Sequence, residues 1–186
     1  MKKFILIFLP FLLLCGCQKT KPQYLISSIG FDNKDGQLIT CFEAIIINSE
    51  TEDQEIKLFE GKGETVEDGV KEIEKQCTQD FLLSHCGLFI VGETVNEKQL
   101  DNIYEFCFKK EEITLSARFV KTENAKKLLS QKPISTISVG YDILGLIEQY
   151  SKTAKIKNRY FEIEANEKKT RLPQIKLKEK GYYLEK

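Results

Sequence analysis

Residues Gln37 to Ile47 are apolar in both phases of a two-residue alternation. Leu38, Thr40, Phe42, Ala44 and Ile46 fall on one side, and Ile39, Cys41, Ile45 and Ile47 on the other. Successive side chains of a strand point to opposite faces. A strand that is apolar in both phases is therefore covered on both faces and belongs inside a sheet. A second run, Leu88-Phe-Ile-Val91 closed by Gly92, has the same character. These two segments exclude a bundle of helices and require a sheet with helices packed on it.

The remaining periodicities supply those helices. Tyr24 to Phe31 alternates loosely as a strand, Asp32-Asn-Lys-Asp-Gly36 reads as a turn, and Ile56 to Gly61 reads as a third strand. Glu64 to Gln79 is amphipathic, with Val66, Val70, Ile73 and Cys77 on one stripe. Asn96 to Lys109 predicts a second helix with Leu100, Ile103, Tyr104 and Cys107 inward. Ile113 to Val120 reads as a strand and Glu123 to Ser130 as a short helix that Pro133 ends. A last helix is expected from about Ser135 to Tyr150, striped by Val139, Ile143, Leu146, Ile147 and Tyr150. The order β-β-β-α-β-α-β-α-α defines an α/β (α+β) fold with a mixed sheet, in one main domain over 24–150. Residues 151–171 are polar and read as a linker with one weak strand at Tyr160–Glu164. Leu172–Leu177 and Gly181–Leu184 are two short strands that cannot build a core of their own. They pack on the main domain or await a partner.

The chain opens with Lys2 and Lys3, then the 11-residue run Phe4–Leu14, apolar throughout apart from Pro10, then Cys15-Gly16-Cys17. Such a run spans about 16 Å as a helix, against a bilayer core of roughly 30 Å. The pattern is that of a bacterial export signal with a lipobox. It predicts cleavage after Gly16, acylation of the Cys17 thiol, and a polar tether over residues 17–23. Two acyl chains hold a protein on a membrane where one does not, at about 0.8 kcal/mol per buried CH₂. The expected location is the outer face of a cytoplasmic membrane.

Removing residues 1–16 from the 186 leaves 170, with 26 basic residues against 28 acidic once Lys2 and Lys3 are gone. That balance gives no basic face for nucleic acid. Cys41, Cys77, Cys86 and Cys107 have no C-x-x-C spacing. Export permits disulfides, but the apolar positions favour buried thiols. His85 is the sole histidine, and its place just before a buried strand favours a satisfied structural imidazole over a base or ligand. Gly61-Lys-Gly63 ahead of a helix is a weak anion signal and reads more simply as a tight turn, with Glu64 or Thr65 near the cap. Phe106 and Phe108 flank Cys107, and one of them is expected at the surface as a contact. No catalytic motif, metal ligand set or cofactor motif is present in the sequence.

The order of these short motifs resembles the N-terminal region of the Ger(x)C-type (GerAC family) spore germination lipoproteins. The resemblance is carried by the lipobox Cys17 and by Ile29-Gly30-Phe31-Asp32 with Asp35-Gly36. Gly61, Gly63 and Thr65 follow, then His85 with Leu88–Val91, Gly92 and Glu93. Lys132-Pro133 and the Leu172, Pro173, Ile175, Leu177 strand complete it, with Gly181 beginning the next piece. Family chains usually continue for about another domain, and many carry Trp-Asp after the lipobox Cys where this chain has Gln18-Lys19; against that pattern this sequence reads as either a short variant or a truncated copy. It implies a lipid-anchored, non-enzymatic C subunit of a spore nutrient germinant receptor. That subunit would sit on the outer face of the spore inner membrane with integral-membrane receptor subunits as partners, and serve assembly or signalling. Two other readings stand beside it. A generic extracytoplasmic lipoprotein that binds a solute or accompanies a transporter predicts a deep polar pocket, and a tethered enzyme using His85 predicts an activity lost in His85→Ala.

Overall fold

The structure, a computed structural model, describes residues 23–47, 53–114, 116–150, 172–178 and 181–185. The expected signal segment, Cys17 and the expected strand at 160–164 lie outside them. The fold is α+β. An eight-stranded mixed sheet runs in the order β3 (Gln54–Gly63), β2 (Gln37–Ile47), β1 (Tyr24–Lys34), β5 (Leu88–Gly92), β6 (Arg118–Thr122), β7 (Gln174–Lys178) and β8 (Gly181–Glu185). The two-residue β4 (Phe81–Leu82) pairs parallel with Tyr24 and Leu25 at the start of β1. The β3-β2-β1 meander and the β7-β8 hairpin are antiparallel, while β1, β5, β6 and β7 run parallel.

Helices cover both faces. α1 (Val66–Glu74) and α2 (Glu97–Lys109) enclose one core with Ile29, Phe31, Phe42, Phe89 and Phe119. α3 (Ala125–Leu129) and α4 (Val139–Tyr150) enclose the other with Cys41, Leu88, Ile90, Val120 and Ile175. β2 and β5 are thus apolar in both phases because each lies between two helical layers. Thr65 and Asn96 cap α1 and α2 through capping boxes with Asp68 and Gln99.

The hairpin after β1 is tighter than the sequence suggests. Asp32 to Lys34 stay in the strand, and the turn is Asp35-Gly36 alone, with φ of 54° and 83°. Positive φ at both positions is what a two-residue turn joining twisted strands needs. β6 starts five residues later than Ile113. Ile113 and Ala117 bury in the first core from turns, and the Thr114 and Ser116 hydroxyls bond locally to each other and to backbone. Such bonds compete with a strand ladder. The two C-terminal strands join the main sheet. Lys121 N–H donates to Pro173 O at 2.8 Å, and Gln174 Nε2 donates to Glu93 Oε1 at 2.8 Å.

The Gly-x-Gly turn has a steric role. A Cβ on Gly61 would lie 2.0 Å from the carbonyl oxygen of Gly69 in α1, whereas one on Gly145, in the middle of α4, would meet nothing within 4 Å. Gly61→Ala therefore forces α1 off β3 and is expected to cost about 2–3 kcal/mol. Gly145→Ala removes only backbone freedom from the unfolded chain and is expected to stabilise by roughly 0.5–1 kcal/mol. Thermal melts of the two variants beside the parent check the opposite signs.

Candidate functional site

Three carboxylates on the face covered by α3 and α4 organise that half of the molecule. Glu43 sits in the middle of β2 and is fully buried. Its Oε1 accepts from the Val139 N–H at 2.8 Å and its Oε2 from the Gly140 N–H at 3.0 Å, so the carboxylate closes the first turn of α4. The free N–H groups and the helix dipole there favour a negative charge. Ser27 and Ser28 hydroxyls also donate to Oε2, at 2.6 and 2.7 Å. Consecutive strand residues normally point to opposite faces, but β1 has a bulge between Ile26 and Ser28, and the extra residue turns both serines toward Glu43. The same bulge lets Ile26 and Ile29 share one core despite their odd spacing. Gly140 must lack a side chain, since a Cβ would come within 2.8 Å of both Glu43 Oε2 and Ser28 Oγ.

Asp32, at the upper end of β1, does the same for α3. It accepts from the Ala125 and Lys126 N–H groups, both at 2.9 Å. Burial pushes its carboxyl above the ordinary range, and the two backbone bonds offset this only in part. Gly92 of β5 passes so close that a Cβ there would be 2.0 Å from Asp32 Oδ1.

Asp142, one turn into α4, gathers the segment before the helix. It accepts from the Ile134, Ser135 and Thr136 N–H groups, from the Ser135 hydroxyl at 2.9 Å and from the Tyr182 hydroxyl of β8 at 2.5 Å. Burial opposes its charge, but the donors from Tyr182, Ile134, Thr136 and Ser135 outweigh it and hold the carboxyl well below the usual range. Burial and the Asp142 charge raise Tyr182 in turn. This wrapping is why α4 begins at Val139 rather than Ser135. It also fixes two isoleucines at the surface: Ile134 is 64 % and Ile137 40 % exposed.

The residues the sequence put forward do not converge. His85 is exposed at the end of a short 3-10 turn over Leu83–His85, so it is not a buried structural imidazole; the buried member of that turn is Leu83. Cys41, Cys86 and Cys107 are buried and Cys77 partly so, all four as free thiols. Burial pushes Cys41 and Cys86 up to about 12, so neither is a thiolate nucleophile at neutral pH. Phe106 is buried and Phe108 is partly buried against the same core, so neither makes the expected surface contact; α2 is covered over a wider arc than its stripe implies. The turn at Gly61–Gly63 leads to an α1 whose first turn carries Glu67 and Asp68, a poor setting for an anion. A cleft of about 490 Å³ opens between the end of α1 and β4, floored by Phe42 and Phe81 and rimmed by Glu74, Asp80, Lys110 and Glu112; His85 is not among its lining residues. Among the described residues no His, Cys, Asp and Glu side chains group to hold a metal, and no helix is long and apolar enough to cross a membrane.

The arrangement is that of an α+β scaffold whose buried charges seat helices. Residues 21–176 match the spore germination protein N-terminal domain, and the chain belongs to that family. No curated protein and no solved structure matches it. The motifs behind the resemblance now have physical roles: Asp32 caps α3, Gly92 makes room for Asp32, Gly61 admits α1, Thr65 caps α1, and Glu93 holds β7. Sequence reasoning missed Glu43 and Asp142. The available signals were a lone carboxylate in the apolar phase of β2 beside a Ser-Ser pair, and the hydroxyl-rich stretch Ser135-Thr136-Ile137-Ser138 ahead of a helical acid.

Asp142→Asn exchanges a charged acceptor for an amide facing N–H donors and is expected to cost on the order of 3 kcal/mol at neutral pH. The native Asp142 has a folded pKa below the usual 3.8, so its contribution is full above that value and is lost as pH falls toward the folded pKa. Asp32, with a raised pKa, has the opposite sign. Denaturant titrations from pH 7 to pH 3 should show the gap between parent and Asp142→Asn narrowing below about pH 4.

Proposed function

We propose that this protein is the lipid-anchored, non-enzymatic C subunit of a spore nutrient germinant receptor, held to the outer face of the spore inner membrane through Cys17. Its integral-membrane receptor subunits are its partners, and its role is in receptor assembly or signalling. The family match over residues 21–176 carries this reading. The lipobox Leu14-Cys15-Gly16-Cys17 ahead of a short polar tether supports the anchor.

The test is an affinity pull-down of tagged protein from detergent-solubilised dormant-spore membranes, with Cys17→Ala in parallel. Recovery of two integral-membrane proteins, reduced several-fold in Cys17→Ala, is expected. Absence of the protein from spores together with abundance in vegetative membranes would overturn the reading and favour a generic lipoprotein that serves a solute or a transporter.

A further inference from the structure

The two edges of the sheet differ. β3 carries Glu55, Lys57, Glu60 and Lys62, all exposed, which is the charged edge that discourages strand pairing. β8 is Gly181-Tyr-Tyr-Leu-Glu185, with no charge before its last residue, and among the described residues no strand pairs with its outer side. Apolar groups flank that open side on both faces of the sheet. Tyr183 is 38 % exposed on one face. On the other, Ile134 is 64 % exposed and reaches Gly181, where a Cβ would meet its Cδ1 at 3.0 Å.

The β8 strand is also complementary to itself. Lys178 of β7 lies opposite Gly181 in the hairpin, and its amine sits 4.4 Å from the centre of the Tyr183 ring, so a cation of the neighbouring strand lies beside the Gly181 end of β8 while Glu185 lies at its other end. We propose that β8 pairs antiparallel with β8 of a second copy of this chain, about a two-fold axis through Tyr183, to join two sheets into one. In the register that pairs all five residues, Tyr183 faces its own copy and Tyr182 faces Leu184. Glu185 falls opposite Gly181, whose missing side chain leaves a path to the partner's Lys178. Ile134 closes over the partner's Leu184. An isologous contact of this kind is closed and stops at two copies. Aromatic pairs and opposite charges across neighbouring strands each add to pairing. A five-residue strand pair is small beside stable interfaces of about 1,600 Å², so the dimer is weak and concentration-dependent. The proposal is independent of the receptor reading.

The test uses the full chain in detergent. Under mild oxidation Tyr183→Cys, whose thiols meet on the two-fold, should give a disulfide-linked dimer several-fold above the unsubstituted chain, while Lys57→Cys on the β3 edge should not. In sedimentation equilibrium Tyr183→Lys, which brings like charges together on the axis, should stay monomeric at concentrations where the parent associates, with an unchanged circular dichroism spectrum and melt. A parent that is monomeric up to high-micromolar concentration would overturn the proposal, as would Tyr183→Cys linking no better than the parent or linking to a different protein.

Discussion

The carboxylate of Glu43 is the contact on which one half of this molecule depends. A full charge in the middle of a sheet is costly unless every oxygen finds donors. Here four donors converge on it from two directions: two hydroxyls from β1 and two backbone N–H groups from α4. The bulge in β1 is the device that makes this possible, because without it one of the two serines would face the opposite core. The charge thereby specifies where α4 lands on the sheet, a question that its apolar stripe alone leaves open. Val139, Ile143 and Ile147 would be content against any flat apolar surface, whereas the carboxylate accepts one position and one helix end.

The two faces of the sheet use different means for the same task. On the α1 and α2 face, positioning comes from shape. Gly61 and Gly69 let strand and helix backbones nearly touch, and capping boxes satisfy the helix starts from within their own sequence. Aromatic rings fill the rest: Phe31, Phe89, Phe119 and Tyr104 form a continuous row with centroid separations of 4.8 to 6.3 Å. On the α3 and α4 face local caps are also present, Asn124 accepting from the Lys127 N–H and Ser138 from the Tyr141 N–H, and the carboxylates of Asp32 and Glu43 add acceptors from the strands beneath.

This division explains what the sequence made legible. The mixed sheet, the helices near 66–74 and 97–109 and the existence of two short C-terminal strands follow from periodicity, because burial imposes periods of 2 and 3.6 wherever an element covers a core. Thr65 and Asn96 cap through contacts three residues away and are readable as local patterns. Glu43, by contrast, meets Val139 across 96 positions, and Asp32 meets Ala125 across 93. Nothing in a linear reading announces a partner that distant. A lone acid on an apolar phase looks like a blemish in a strand until the helix end is seen opposite it. His85 misled for the reverse reason. Its neighbours Leu83 and Cys86 are buried, but the 3-10 turn rotates the imidazole away from both.

The carboxylates also tie the C-terminal hairpin to the centre of the sheet. β7 meets β6 over little more than one residue pair, so the ladder alone holds the hairpin weakly. Tyr182 adds a buried bond to Asp142, and Asp142 lies on the helix whose first turn rests on Glu43. The path from β8 to β2 thus runs through one hydroxyl, two carboxylates and a single turn of α4. A rigid helix pinned at one end by Glu43 and clasped near the same end by Tyr182 leaves little freedom for β8 to shift while α4 stays in place. Whatever meets the outer side of β8 meets an edge whose position is set by charges deep in the sheet. That accounts for a short terminal strand with a defined register where its own ladder would not supply one.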